Sequence, residues 1–230
     1  MARTYRALAA LLSYPTEALQ AATGEIAGAL AEEAIVAAPQ RVAIRIFLNE
    51  VATADIYELQ ERYVALFDRS RTLSLHLFEH IHGESRDRGQ AMADLITLYR
   101  DHGLDMAADE LPDFLPLFLE FLSLLPDAEA RTMLAEPAGI LRALTDRLAA
   151  RKTGYSAVLA ALADIAAAPM LAMSDIPEED PDDLEAMDAS WEDAAVRFGP
   201  GEAIDGCGTD RLRNQIRASQ RDAHQNATAL

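Results

Sequence analysis

Two histidines and a glutamate stand close together in the sequence, at His76, Glu79 and His80. Their spacing matches the H-x-x-E-H pattern of inverted zinc hydrolases. On a helix, the two imidazoles would lie one turn apart and could share a metal ion, with the glutamate as general base. No later His or Glu motif supplies the third ligand that zinc needs, although Glu110 or Glu120 could be assumed to do so. A metal-dependent hydrolase is therefore one hypothesis for this chain.

The same stretch also permits a second interpretation, in which its polar residues serve binding or folding. The polar residues around Gly83 are His80, His82, Glu84, Ser85, Arg86, Asp87 and Arg88. Such groups can cap helices and form ion pairs, or present donors and acceptors to a bound peptide. A helical peptide in a groove also needs an apolar floor with a charged rim. The candidates for that floor are Phe67, Phe78, Leu115 and Phe118, which can instead belong to the core.

Motifs of other enzyme classes are absent from the sequence. It contains no G-x-x-x-x-G-K or G-x-G-x-x-G phosphate loop and no G-x-S-x-G nucleophile elbow. Its single cysteine, Cys207, cannot form an internal disulfide, and no obvious base stands near it. We therefore expect no catalytic cysteine, no nucleotide-driven reaction and no cofactor.

The charge of the chain limits its partners. It has 38 acidic and 20 basic residues and a net charge of -18, which repels phosphate backbones and argues against nucleic-acid binding. The same charge keeps a protein soluble and would attract a basic peptide. No apolar run approaches the ~20 residues needed to span a bilayer, and the first residues lack a secretory pattern. We therefore expect a cytoplasmic protein that is not inserted into the membrane.

The apolar pattern predicts an all-α fold. Hydrophobic residues make up 50% of the 230 residues and are mostly Ala and Leu, which favour helices. Apolar spacing predicts helices over residues 5–12, 16–31, 56–67, 88–102, 114–125, 128–134, 138–150 and 155–167, with a further one from about residue 39. In that further helix the residues expected to face inward are Val42, Ile46, Phe47 and Val51. We expect residues 1–172 to form a single helical-bundle domain.

Individual residues sharpen this prediction. Asp55 followed by Glu58 resembles a capping box and predicts a helix start. Gly103 stands where a left-handed helix cap is expected. The helix over residues 114–125 is apolar nearly all round, which predicts a central, buried position.

The pattern changes in residues 173–230, which we expect to be an acidic, largely flexible tail with short helices. Residues 175–193 contain ten acidic side chains and no Lys or Arg. Within the tail, residues 184–198 could form one amphipathic helix, because Leu184, Met187, Trp191 and Ala195 recur at helical spacing.

Three blocks of sequence, together with the opening residues 5–15, resemble a known family. The blocks are residues 61–70, 73–92 and 110–122. In this order they are similar to the NarJ family, the nitrate reductase molybdenum-cofactor assembly chaperones, within the TorD-like group of redox-enzyme chaperones. The resemblance covers roughly the first three-quarters of the chain, and the tail matches only in its acidic character.

The resemblance implies an all-α chaperone that is not an enzyme. It implies binding to the catalytic (alpha) subunit of a respiratory nitrate reductase, including its N-terminal segment. The chaperone would hold that subunit competent for molybdenum cofactor insertion and membrane assembly. A transient client suits a monomer or weak dimer. A helical scaffold without chaperone action is a further alternative, besides the hydrolase.

The resemblance also indicates a contact region. Two of its blocks, at Tyr63 to Phe67 and at Glu110 to Asp113, match motifs that the wider group uses for peptide binding. Phe114 stands where several relatives carry a histidine, so that histidine's role cannot be transferred. The predicted client-binding residues are Tyr63, Leu66, Phe67, Phe78, Glu79, His80, Glu84, Arg86, Asp87, Glu110, Pro112, Asp113, Leu115 and Phe118.

The expected roles differ within this set. Phe67 and Phe78 would hold apolar client side chains, whereas Glu79, Glu84 and Asp113 would pair with basic client groups or cap local helices.

Overall fold

The structure, a computed structural model of the chain, describes residues 3–82, 86–106 and 110–166. Its α-helices, in chain order, are α1 (Arg3–Leu12), α2 (Glu17–Glu33), α3 (Ala38–Thr53), α4 (Ile56–Phe67), α5 (Glu79–His82), α6 (Arg86–Asp101), α7 (Leu115–Leu122), α8 (Asp127–Ala135), α9 (Ala138–Ala150) and α10 (Tyr155–Ile165). A single 3-10 turn, Arg71–Leu73, lies between α4 and α5. These residues contain no β-strand, which confirms the all-α prediction, and helix ends mostly fall within one or two residues of those expected.

Local hydrogen bonds explain several of these boundaries. Asp55 caps α4, because its Oδ1 accepts hydrogen bonds from the backbone N–H of Tyr57 at 2.8 Å and of Glu58 at 3.4 Å. Thr16 caps α2 in the same way. Gly103 follows α6 with a φ of 78°, a left-handed conformation in which glycine carries no Cβ penalty, as the sequence predicts.

The centre of the domain is built around α7 and α10. Helix α7 is buried on nearly every side and packs against α1, which agrees with its apolar sequence. Helix α10 packs against α1, α3, α8 and α9. The ring centroid of Tyr155 lies 4.7 Å from that of Phe47 and 5.0 Å from that of Phe67. A Cβ placed on Gly154 would approach Cδ2 of Phe47 to 2.3 Å, so only glycine fits this close contact.

Helix α3 corrects one prediction. Its buried residues are Ile44, Phe47, Leu48 and Val51. Val42 and Ile46 were expected inside, yet their exposed fractions are 62% and 67%. The helix has two apolar faces, and its packing against α2 and α10 buries only one of them. Apolar spacing alone does not say which face is covered.

The described residues bear on the membrane prediction but not on the prediction for the tail. Within the described residues, no helix combines the length and apolarity that crossing a membrane requires. The predicted tail, residues 173–230, and its helix at residues 184–198 lie outside the described residues.

Candidate functional site

Two segments that the sequence singled out meet in the structure. We call residues 74–82 the histidine segment and residues 110–115 the acidic segment. The backbone N–H of Leu77 donates to the carbonyl of Asp113 at 3.0 Å, and that of Leu115 donates to the carbonyl of Leu75 at 2.9 Å. The two segments therefore run antiparallel at this point and form one junction.

Asp113 lies at the centre of this junction and is fully buried. Its Oδ2 accepts a hydrogen bond from the backbone N–H of Phe78 at 3.1 Å, and its Oδ1 lies 3.2 Å from Nδ1 of His76. Nη2 of Arg88, on α6, lies 3.9 Å from Asp113 Oδ2 and 3.5 Å from Oε1 of Glu79. A buried carboxylate is tolerated when donors and positive charge surround it, as they do here.

The two histidines of the cluster sit in opposite environments. The hydrogen bond with Asp113 raises the pKa of His76, against the smaller opposing effects of burial and of Arg88. Burial lowers the pKa of His80. Nε2 of His80 lies 2.8 Å from the carbonyl oxygen of Ser74, which can only accept, so that nitrogen carries the proton. His76 therefore favours the charged form and His80 the neutral one.

This geometry does not support the metal hydrolase hypothesis. His76 precedes α5 and lies in the antiparallel bridge opposite Phe114, so it is not one helical turn from His80. Within residues 3–82, 86–106 and 110–166, no three His, Cys, Asp or Glu side chains are grouped to hold a metal ion. Glu110 and Glu120, considered as third ligands, are both exposed. The side chains of His76 and His80 instead form hydrogen bonds within the junction.

Neighbouring elements hold the junction from outside. The hydroxyl of Tyr99, on α6, donates to the carbonyl of Pro112 at 2.8 Å, and burial raises the pKa of this phenol well above its ordinary value. Nη1 of Arg147, on α9, donates to the carbonyl of Thr72 at 2.7 Å, just before the histidine segment. Side chains from two helices therefore fix the backbone path of the junction.

The apolar residues predicted for a client groove lie in the core instead of lining an open floor. The buried apolar members of the predicted set are Tyr63, Leu66, Phe67, Phe78, Pro112, Leu115 and Phe118. The hydroxyl of Tyr63 donates to the carbonyl of Leu12 at 2.9 Å, and its ring lies 4.9 Å from that of Phe67. In this structure Tyr63 and Phe67 therefore pack within the core.

The accessible part of the junction contains residues that the sequence reasoning missed. Leu111 is 47% exposed and Ile81 is 39% exposed, a combination that marks surface apolar groups. Glu110 is exposed beside Leu111, and Phe114 is half-buried with its ring centroid 5.3 Å from that of His76. Leu111 and Ile81 lie inside the resembling blocks, so the sequence could have marked both as candidates. It could not show that their side chains are exposed.

Three predicted site residues have no described side chain. Glu84 lies outside the described residues, and only the backbone of Arg86 and Asp87, at the start of α6, is described.

Comparison with known proteins defines the class to which this fold and junction belong. The chain matches the family described as "Nitrate reductase delta subunit" over residues 16–161. That match covers more than half of the chain, and the chain belongs to this family.

Individual relatives carry more specific names. NarJ of Escherichia coli K12, a nitrate reductase molybdenum cofactor assembly chaperone, is 42% identical over 206 residues, which are 88% of this chain and 86% of the relative. NarW of the same strain, a probable chaperone of this kind, is 43% identical over 156 residues, 66% of this chain and 68% of the relative. A probable NarJ of Bacillus subtilis 168 is 30% identical over 156 residues, 68% of this chain and 84% of the relative. The resemblance to the NarJ family is confirmed.

Proposed function

We propose that this protein is an assembly chaperone for a respiratory nitrate reductase. It binds the catalytic subunit, including its N-terminal segment, and keeps that subunit competent for molybdenum cofactor insertion without catalysing a reaction itself. The observation that carries this proposal is the 42% identity to NarJ of Escherichia coli K12 across 88% of the chain. The proposed place of action is the cytoplasm, before membrane assembly, and the proposed form is a monomer or weak dimer.

The accessible face of the junction is the proposed client contact. Leu111 and Ile81 offer apolar surface, and the exposed Glu110 offers a carboxylate next to Leu111 in sequence. Glu79, which lies 3.5 Å from Arg88, belongs to the same short helix as Ile81. Apolar anchors with a charged rim suit an amphipathic peptide that carries basic residues. The net charge of -18 adds long-range attraction for such a peptide and would speed its encounter.

The buried members of the predicted set have a supporting role in this proposal. Asp113 joins the two segments, and Phe78 and Phe118 belong to the buried core. In this proposal, the shape of the client-contact surface depends on core residues that do not touch the client. Glu84, Arg86 and Asp87 follow the histidine segment in sequence and complete the proposed contact.

Calorimetric titration of the chelator-treated protein with a peptide from the N-terminus of the partner's catalytic subunit tests the proposal. We expect saturable binding that weakens about tenfold or more in the double variant Leu111→Ser, Ile81→Ser, because apolar anchors dominate binding energy. Tyr57→Ser, on the exposed face of α4, is the matched control and should bind as the parent does. Failure of both the peptide and the whole catalytic subunit to bind would overturn the proposed function.

A further inference from the structure

Helix α3 presents an apolar face that no described residue covers. Val42 and Ile46 are 62% and 67% exposed and stand one helical turn apart, while the opposite face of the helix is buried. Pro39 and Ala43 are exposed on the same side. A helix of a globular domain normally keeps one apolar face, so a second one marks a contact surface.

Positive charge lies along one edge of this face. Arg45 is exposed beside Val42 and Ile46 and forms no ion pair with any residue that the structure describes. We call Pro39, Val42, Ala43, Arg45 and Ile46 the α3 stripe. An occupant of the stripe should bring apolar side chains at helical spacing and carboxylates along one edge.

The chain's own sequence after the last described residue contains such an occupant. Leu184, Met187 and Trp191 recur at helical spacing within residues 184–198. The acidic residues that follow one edge of that apolar row are Glu185, Asp188 and Glu192. No Lys or Arg occurs from residue 175 to residue 193. The pattern therefore matches the stripe in both polarity and charge.

The chain is long enough for this contact. It leaves the described domain after α10, a helix that itself packs against α3. Seventeen residues, 167–183, separate Ala166 from residue 184. An extended chain of that length spans up to about 60 Å, whereas a domain of this size has a radius of gyration of about 15 Å. Residues 184–198 can therefore reach any face of their own domain.

We propose that the α3 stripe is the docking site of residues 184–198 of the same chain. Leu184, Met187 and Trp191 pack on Val42 and Ile46, and the acidic edge faces Arg45. A second copy fits less well, because two chains that each carry a net charge of -18 repel one another. A basic peptide fits less well too, because Arg45 would repel it.

Trp191 is the single tryptophan of the chain, so its fluorescence reports directly on the contact. In the full chain we expect emission at shorter wavelength, and several-fold weaker acrylamide quenching, than in a free peptide of residues 175–200. The double variant Val42→Ser, Ile46→Ser should shift both properties to those of the free peptide. Both positions are exposed, so circular dichroism should show unchanged helix content, and Tyr57→Ser serves as the matched surface control.

The proposal would be overturned by parent emission equal to that of the free peptide, by a protected Trp191 in the double variant, or by the same shift in Tyr57→Ser. Dilution separates docking within one chain from contact between chains. Protection that persists on dilution, with a monomer mass in sedimentation, supports docking in the same chain. Protection that vanishes together with a dimer mass assigns the stripe to a second copy and overturns the proposal. Arg45→Glu should increase quenching, and no change there would refute the charge pairing.

Discussion

The Asp113 carboxylate accepts a hydrogen bond from the backbone N–H of Phe78, 35 positions earlier in the chain, at 3.1 Å. The contact joins the acidic and histidine segments at a point that solvent does not reach. Because an ionised acceptor strengthens such a bond and low polarity reduces screening, this one side chain has a large share in holding the junction.

Replacing this carboxylate should destabilise the protein. Asp113→Asn removes the charge beside His76 and Arg88 and turns an amide group toward one of the donors that the carboxylate accepts from. We expect a loss of about 2–4 kcal/mol in the free energy of unfolding, measured by urea titration followed by circular dichroism. Asp68→Asn, at an exposed position, should change it little. Equal stability of the two variants would show that Asp113 is not the anchor described.

The stability of the protein should depend on the charge of His76. Its pKa is raised above the ordinary value of 6.5, chiefly by the hydrogen bond with Asp113. The folded state therefore binds this proton more tightly, so the stabilisation is complete below pH 6.5 and is lost as the pH rises through the folded-state pKa.

We accordingly expect His76→Gln to flatten the decline of the unfolding free energy on the alkaline side of this window. Urea titrations at a series of pH values measure it. His80 acts in the opposite sense, because its pKa is lowered by burial and its protonation opposes folding on the acid side. The acid-side decline should therefore persist in His76→Gln. An unchanged alkaline slope in that variant would contradict the prediction.

The hydroxyl of Tyr99 should contribute separately. Tyr99→Phe removes its hydrogen bond to the carbonyl of Pro112 and leaves a buried acceptor without that donor. We expect a cost of about 1–2 kcal/mol, read from the midpoint of thermal unfolding. Tyr14→Phe, at an exposed ring, is the conservative control. A Tyr99→Phe protein as stable as the control would mean that the bond adds nothing to the acidic segment.

The close contact at Gly154 predicts a steric effect. Gly154→Ala places a methyl group 2.3 Å from the Phe47 ring, and the aromatic packing must shift to admit it. We expect a loss of about 1–3 kcal/mol. Gly139→Ala, in α9, meets no atom within 4 Å and should be neutral or slightly stabilising, because alanine favours helices. Chemical denaturation of both variants measures the change in the free energy of unfolding. A Gly154→Ala variant as stable as the parent would show that the site accommodates a methyl group.

Helix positions were predictable because their causes are local. Asp55 and Gly103 act through backbone groups a few residues away, so the local sequence predicts where α4 begins and where α6 ends. The covered face of α3 was not predictable, because Val42 and Ile44 are equally apolar. Only the packing of α2 and α10 selects between them.

In the candidate site, too, some features could be predicted from local sequence and others depend on packing. The resembling blocks identified both segments of the junction, but not that Asp113 faces inward or that Leu111 faces outward. His76 and His80 looked like a metal pair because their spacing assumes a helix. The bridge opposite Phe114 extends the backbone there, and this pairing depends on residues far along the chain.

The bridge between the two segments also has a kinetic consequence. The bridge closes a loop that contains all of α6, so its formation costs the conformational entropy of a long stretch of chain. Contacts of this kind tend to form late in folding. Because this is an isolated bridge and not part of a sheet, local fluctuations can open it while the surrounding helices stay folded. The amide hydrogens of Leu77 and Leu115, which donate across the bridge, should therefore exchange with solvent deuterium sooner than those in the middle of α10. The proposed client contact rests on this bridge, so we expect that surface to change shape while the rest of the domain stays folded.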